Sequence, residues 1–295
     1  MKLVCIWKAV SSVIRVFPEL RDDDPILMLF HKGVKGQWSA SEFDWTLPFG
    51  FNEPEAKSFA RILTPVYLGE QTAMLGASTV LQHFAMEHET SAELYIATFI
   101  MDEARHFEML TRVYKLLRQS PLEMRDLREM FRYHHRLLKS KHRIDWLFGI
   151  LISDLFAKNF YGAFRKQFPD ALFGKLSVRI IADEARHQAF AEHYLGQLRD
   201  ELPHEVRDRL AEMRDDLLFI MQSMLLRLRK DADLVGIDGY AILQELEHDV
   251  KRKVDILGLE REEREAVLEA EEAAEHAMAA EAAADIVPAK SVATD

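Results

Sequence analysis

The chain has 295 residues, 48% of them hydrophobic, with 12 Gly and 9 Pro, which is too few turn formers for an all-β protein and enough apolar residues for a substantial core. Its formal charge is −11, but residues 259–295 hold eleven Asp/Glu against three Lys/Arg, so −8 of it sits there and the other 258 residues carry only −3. No basic surface points to nucleic acid, and the lone cysteine, Cys5, excludes an internal disulfide and fits a reducing compartment.

The opening MKLVCIWKAVSSVIRVF is broken by Lys8 and Arg15 and has no small-residue cleavage site, so no signal peptide is expected. Residues 1–52 read as a lead-in segment that ends in the turn TLPFGFNEPE. From Glu53 to about Met86 apolar residues (Phe59, Ile62, Leu63, Val66, Met74, Ala77) recur at helical spacing, which predicts one long helix, kinked at Pro65. Thr90 followed by Glu93 has the form of a capping box and opens a second helix to about Arg118. Ser120-Pro121 starts a connecting segment rich in Arg, Lys and His, a crossover over about 119–142. A third helix covers roughly Ile144 to Gln167, Phe168-Pro169-Asp170 breaks it, and a fourth runs to about Arg199. Leu202-Pro203 opens another amphipathic helix, Gly236 to Gly239 turns the chain, and a last helix reaches Leu257. This makes 53–258 a helical domain and 259–295 an acidic Ala/Glu-rich tail, expected to be partly disordered, poorly ordered after about 270. The apolar run WLFGILISDLFAKNFYGAF contains Asp154 and Lys158 and is too short for a plain membrane span, so a cytoplasmic protein is expected.

One pentapeptide, DEARH, occurs twice, at Asp102–His106 and at Asp183–His187. On a helix, residues i and i+3 lie about 60° apart and roughly 4.5 Å along the axis, so Glu103 with His106, and Glu184 with His187, each present two metal-ligating groups on one face. A single Glu-x-x-His is more often a surface charge pattern than a ligand pair. Two copies, set among Ile100, Phe107 and Leu110 and among Ile180, Ile181, Ala189 and Phe190, make coincidence a poor account.

Helical bundles that hold two metal ions add one carboxylate from each of two further helices to two such pairs, and that known arrangement is the template tested here. In antiparallel neighbours the connecting turn falls midway between facing ligands. Glu70 and Glu103 have their midpoint between residues 86 and 87, at the polar turn, and Asp154 and Glu184 have theirs at Pro169. Asp145 would place the turn inside FRKQF, where nothing breaks a helix, so Asp154 is the better fourth carboxylate, its short reach suiting a single-oxygen ligand. Four carboxylates and two neutral imidazoles balance two divalent ions, and this oxygen–nitrogen set suits iron or manganese better than structural zinc. Asp102 and Asp183 point about 100° from the adjacent Glu, and each can accept the second ring proton of the opposite histidine: Asp102 from His187, Asp183 from His106. Arg105 and Arg186 would neutralise those aspartates.

GEQTAM around Glu70, ELYIATFIMDEARHFEML and IIADEARHQAF resemble the ligand helices of the ferritin-like superfamily, in the branch of ribonucleotide reductase small subunits, the ligand-binding oxidases related to them and bacterial multicomponent mono-oxygenase hydroxylases. The resemblance spans about residues 53–200. It implies an all-α, ferritin-like four-helix bundle with additional helices before and after, and Glu70, Glu103, His106, Asp154, Glu184 and His187 as ligands of two iron ions or a manganese/iron pair. It also implies dioxygen activation. Apolar residues near the site (Phe99, Ile100, Ile150, Leu151, Phe160, Phe190) favour a small apolar or amphipathic organic substrate. No electron-transfer motif is visible, so turnover calls for an electron-donor protein or a self-sacrificing residue; a homodimer is expected.

The chain also departs from these relatives. Reductase small subunits place a radical tyrosine four residues after the first histidine, where this chain has Leu110, which disfavours a radical-storing subunit. Multicomponent hydroxylases carry a threonine one turn after the third carboxylate, where this chain has Lys158, an ion-pair partner or a group that orients an acidic substrate. Tyr67 and Tyr161 lie on ligand-bearing faces, as core tyrosines or as hydrogen-bond partners of the site, whereas His83, His88, His134 and His135 read as surface residues. An iron-handling ferroxidase in a ferritin-like shell remains the alternative to an oxidase or oxygenase.

Overall fold

Local sequence rules account for where the helices start and stop. The computed structural model describes residues 20–140 and 142–259, and the expectations for Cys5, the N-terminal stretch and the acidic tail concern residues outside that range. The helices are α1 (Pro25–Lys35), α2 (Glu53–Glu87), α3 (Thr90–Leu117), α4 (Arg128–Leu138), α5 (Arg143–Gln167), α6 (Leu172–Leu198), α7 (His204–Arg227), α8 (Arg229–Leu234) and α9 (Gly239–Leu257). No strand occurs among the described residues.

The long helix α2 shows why the bundle forms. Its buried residues Phe59, Leu63, Val66, Glu70, Ala73, Ala77, Val80 and Phe84 alternate at spacings of four and three, the stripe that keeps one helix face against its neighbours. Glu70 therefore occupies a position that packing alone would give to an apolar residue. Pro54 in the first turn and the Asn52/Glu55 capping box start the helix, with Glu55 N donating to Asn52 Oδ1 at 3.0 Å. Pro65 lies buried inside α2, where its missing N–H leaves the Arg61 carbonyl without its usual helical donor.

Helices α2 and α3 pair along their lengths, as do α5 and α6, and the two hairpins meet through α2 with α5 and α3 with α6. This is a four-helix bundle with further helices around it. At Gly76 an added Cβ would lie 1.7 Å from Trp146 Nε1, so the missing side chain is what admits the Trp146 ring between α2 and α5. At Gly174 a Cβ would lie 2.0 Å from the Phe168 carbonyl oxygen, so the start of α6 closes onto its own turn.

Two sequence expectations require correction. Thr90 does not cap α3: the chain leaves α2 through the left-handed His88 (φ 63°), which puts Glu89 at the flank with no side-chain cap. The Glu89 carboxylate instead accepts from Tyr194 Oη at 2.9 Å. The crossover is no plain connection, because α4 lies within it and packs Met130, Tyr133 and Leu137 against α2, α5 and α7. The helix expected before the bundle is α1, capped by Asp24 with Pro25 in its first turn, and it packs on α3 and α6. Among the described residues, no helix is long and apolar enough to cross a membrane.

Candidate metal centre

The pentapeptide helices α3 and α6 face each other inside the bundle. Glu103 and Glu184 are each 2% exposed, His106 0% and His187 1%, so the surface reading of the motif does not apply. Glu70 arrives from α2 and Asp154 from α5, each 5% exposed. One donor atom from each of Glu70, Glu103, His106 and Glu184 lies within 4.8 Å of the others, and Asp154, Glu184 and His187 form a second such group. Glu184 joins the two: its Oε1 is 3.6 Å from His106 Nδ1 and its Oε2 is 3.4 Å from His187 Nδ1. Glu70 Oε2 lies 3.5 Å from His106 Nδ1, and Glu103 Oε1 lies 3.2 Å from His187 Nδ1.

The atoms aimed into this cluster suit cations. Glu103 Oε1, His106 Nδ1, Asp154 Oδ2, Glu184 Oε2 and His187 Nδ1 are buried without a hydrogen-bond partner, an expensive state for polar atoms unless something positive binds them. The donors are oxygens and imidazole nitrogens with no thiolate, the set that suits iron or manganese. Glu70 differs, since its Oε1 accepts from the buried Tyr161 hydroxyl at 2.9 Å, which fixes the carboxylate while Oε2 faces His106.

Burial and the nearby charges of Glu70 and Glu184 push Glu103 well above the usual carboxylate range, and burial with Glu184 and Glu70 does the same to Asp154. Burial works against a charged His106, but its contacts with Asp183 and Glu70 prevail and raise it to about 10. Burial would raise Glu70 as well, yet the close approach of His106 brings it below its ordinary value.

Behind the histidines both aspartates are held by several donors, while Arg105 Nε and Arg186 Nε are buried without a hydrogen-bond partner. His106 Nε2 lies 3.2 Å from Asp183 Oδ2 and His187 Nε2 lies 3.3 Å from Asp102 Oδ2, so the carboxylates hold a proton on Nε2 and turn Nδ1 toward the cluster. Arg105 Nη2 donates to Asp102 at 2.6 Å and to Asp183 at 2.7 Å, and Arg186 Nη2 pairs with Asp102 at 2.6 Å and Asp183 at 2.9 Å. Two aspartates and two arginines thus cancel in charge. Burial favours the protonated acids, but His187 and Arg186 hold Asp102 at about 2, and His106, Arg105 and Arg186 hold Asp183 far below the usual range.

Two residues that sequence reasoning missed complete this network. Trp38 Nε1 donates to Asp183 Oδ2 at 2.8 Å, with the Arg105 guanidinium 4.6 Å above its ring, and Gln37 Nε2 donates to Asp102 Oδ1 at 3.0 Å. Both follow α1, in a region without repeating pattern; the single clue is an aromatic ring with one polar atom amid a polar stretch. Other expectations resolve as follows. Lys158 pairs with Asp249 of α9 at 2.6 Å. Tyr67 stacks on Phe107 and its hydroxyl meets Thr111 at 3.3 Å, away from the cluster. His134 is half-buried and bonded to Thr72 rather than free on the surface, and His83 and His88 are half-buried too; His135 is exposed.

In front of the carboxylates lies a cavity of about 40 Å³, lined by Glu70, Glu103, Asp154 and Glu184 and by Met130 and Tyr133 of α4, Ile150, Ser153 and Phe156 of α5, and Met221 and Met224 of α7. Of the apolar residues singled out in the sequence, Ile150 alone is in this wall; Phe99 instead packs 4.2 Å from the His187 ring. The space admits a few waters at most, since one water needs roughly 10–15 Å³ by this measure.

No protein-family profile and no curated protein sequence matches the chain. Solved structures do share its fold, the ferritin-like helical bundle. A variant of an R2-like ligand-binding oxidase with an aerobically reconstituted Mn/Fe cofactor superposes with a TM-score of 0.67 at 16% identity, covering 79% of this chain and 94% of that one. Another variant of an R2-like ligand-binding oxidase, with an Fe/Fe cofactor, gives 0.68 at 15% identity over 79% and 93%. A further structure of such an oxidase, after photoconversion, gives 0.68 at 16% identity over 81% and 95%. At these identities the likeness is one of fold.

Proposed function

We propose that the protein is a carboxylate-bridged two-metal oxidase or oxygenase, holding two iron ions or a manganese/iron pair, that uses dioxygen to oxidise a small apolar or amphipathic organic molecule. The observation that carries this reading is the buried set of four carboxylates and two histidines whose unpartnered donor atoms converge beside a cavity. In it Glu70, Glu103, Glu184 and His106 hold one ion, and Asp154, Glu184 and His187 the other. A bound pair of such ions supplies two electrons to dioxygen at one place.

The chain's own groups then have distinct tasks. Glu184, and Glu103 beside it, reach toward both histidines and so keep the two positions together. Tyr161 steadies Glu70, while Asp102 and Asp183 keep both imidazoles oriented with Nδ1 toward the cluster. Met130, Ile150, Phe156, Met221 and Met224 exclude bulk water from the carboxylate side and favour an apolar guest. Their methionines also let the wall change shape, as a guest larger than the cavity requires.

Anaerobic loading with ferrous ion followed by rapid mixing with oxygen tests the reading. Oxygen consumed in a fixed ratio to about two bound ions per chain supports it. Ferric mineral that grows with every further addition of iron would instead establish an iron-handling protein, and absence of oxidation would leave neither. The electron donor and the dimer belong to the same proposal and are tested by turnover with added reductase fractions and by light scattering.

A further inference from the structure

Resting on the two-metal reading, we infer that Tyr133 and Ser153 form the subsite that receives the polar end of the guest, and that this subsite only accepts hydrogen bonds. The substrate is then an apolar molecule bearing an O–H or N–H group, an alcohol or an amine. The cavity has two kinds of polar wall. Its four acids are the candidate ligands Glu70, Glu103, Asp154 and Glu184, which on that reading are committed to the ions. Among the described residues that line it, the other side chains carrying an O–H or N–H are Tyr133 of α4 and Ser153 of α5, with no Lys, Arg, His, Asn or Gln. Tyr133 shares the buried face of α4 with Met130 and Leu137 and is the one of the three with a polar tip.

The direction of the hydrogen bonds decides what this pair offers. Ser153 Oγ donates to the Gly149 carbonyl one helical turn back, at 2.8 Å. Tyr133 Oη in turn donates to Ser153 Oγ at 2.8 Å. A hydroxyl has one proton and two lone pairs, so both protons are already used and only lone pairs remain for the cavity. In a wall otherwise made of thioether and hydrocarbon, those lone pairs are answered by a donor on the guest, and a guest that carries only acceptors gains nothing from them. Ser153 also directly precedes the candidate ligand Asp154. A guest bonded there has its polar end beside the cluster and its apolar part against Met130, Met221 and Met224.

The test compares 1-butanol with its isomer diethyl ether, which has the same atoms and an acceptor oxygen but no donor. Each is titrated into the full-length protein in the presence of Zn²⁺, which takes oxygen and nitrogen donors without redox chemistry, and the NMR shifts of ¹³C-labelled methionine methyls read occupancy of the cavity. The expected result is that 1-butanol binds about two- to tenfold more tightly than the ether, the worth of one hydrogen bond. Ser153→Ala frees the Tyr133 proton to donate into the cavity, so the ether should gain by a similar factor and the preference for the alcohol should vanish. Tyr133→Phe should weaken 1-butanol without strengthening the ether, with circular dichroism confirming that both variants keep their helices. A pair that merely ties α4 to α5 would lower stability in both variants and leave the ratio of the two affinities unchanged, which would overturn the inference. Equal affinities in the wild type, or no methyl shift with either guest, would overturn it too. None of these outcomes touches the two-metal reading, which stands or falls on metal content and oxygen consumption.

Discussion

The two sides of the candidate centre solve the problem of buried charge in opposite ways. Behind the histidines, Asp102 and Asp183 are surrounded by Arg105, Arg186, Gln37, Trp38 and the imidazoles themselves, and both stay ionised with the Asp102 pKa held at about 2. In front of them, burial and the neighbouring carboxylates push Glu103 and Asp154 well above the usual carboxylate range, and each has an oxygen buried without a hydrogen-bond partner. On one side both carboxylates are answered by several donors of the chain itself. On the other, carboxylate oxygens are buried with no hydrogen-bond partner. The contrast teaches that a protein can bury nine charged or chargeable groups side by side and satisfy only part of them from within its own chain.

The contrast breaks most completely when the front is emptied of ligands. Glu103→Ala/Glu184→Ala should drop metal content from about two ions per chain to none, read by elemental analysis after desalting. Retention of both ions would refute the assignment of these two residues.

Damage to the back should weaken metal without removing a ligand. Asp183→Asn, which leaves His106 Nδ1 in place but disturbs the group that orients it, should lower metal affinity about 10- to 100-fold. Trp38→Phe should act in the same direction with a smaller effect, measured by competition with a chelating dye. An unchanged affinity in both would make the network purely structural.

Proton traffic sharpens the same comparison. Glu103, Asp154 and His106 are raised in the metal-free protein, so at neutral pH ions must displace protons from them, whereas the depressed Asp102 and Asp183 give none. Metal binding should therefore release protons, and affinity should rise with pH by about tenfold per unit for each proton released. A pH-indicator titration in weak buffer would show acidification on adding metal; no acidification would contradict the raised values.

Substitutions outside the centre should separate stability from binding. Gly174→Ala forces a Cβ against the Phe168 carbonyl and should cost about 1–3 kcal/mol or more in urea unfolding of the metal-free protein. Lys158→Ala removes a partly exposed ion pair with Asp249 and should cost only about 0.5 kcal/mol, with metal content unchanged. Loss of metal from the Lys158 variant would revive a role at the site.

The sequence by itself determined the helices that have a period and the candidate ligands that share one. Glu103 with His106 and Glu184 with His187 are legible because a helix puts i and i+3 on one face, and Glu70 and Asp154 because a hairpin has a midpoint. The stripe from Phe59 to Phe84 marks α2 for the same reason. Helix α4 was hidden because only three of its eleven residues, Met130, Tyr133 and Leu137, are buried apolar ones, while Phe131 and Leu138 are exposed among Arg and His. Only the tertiary structure decided that Gln37 and Trp38 answer Asp102 and Asp183, that His134 meets Thr72, and that Met130, Met221 and Met224 wall the cavity. Those contacts join residues 62 to 145 positions apart in the hydrogen-bonded cases, and a meeting between distant segments leaves no spacing in the chain from which it can be read.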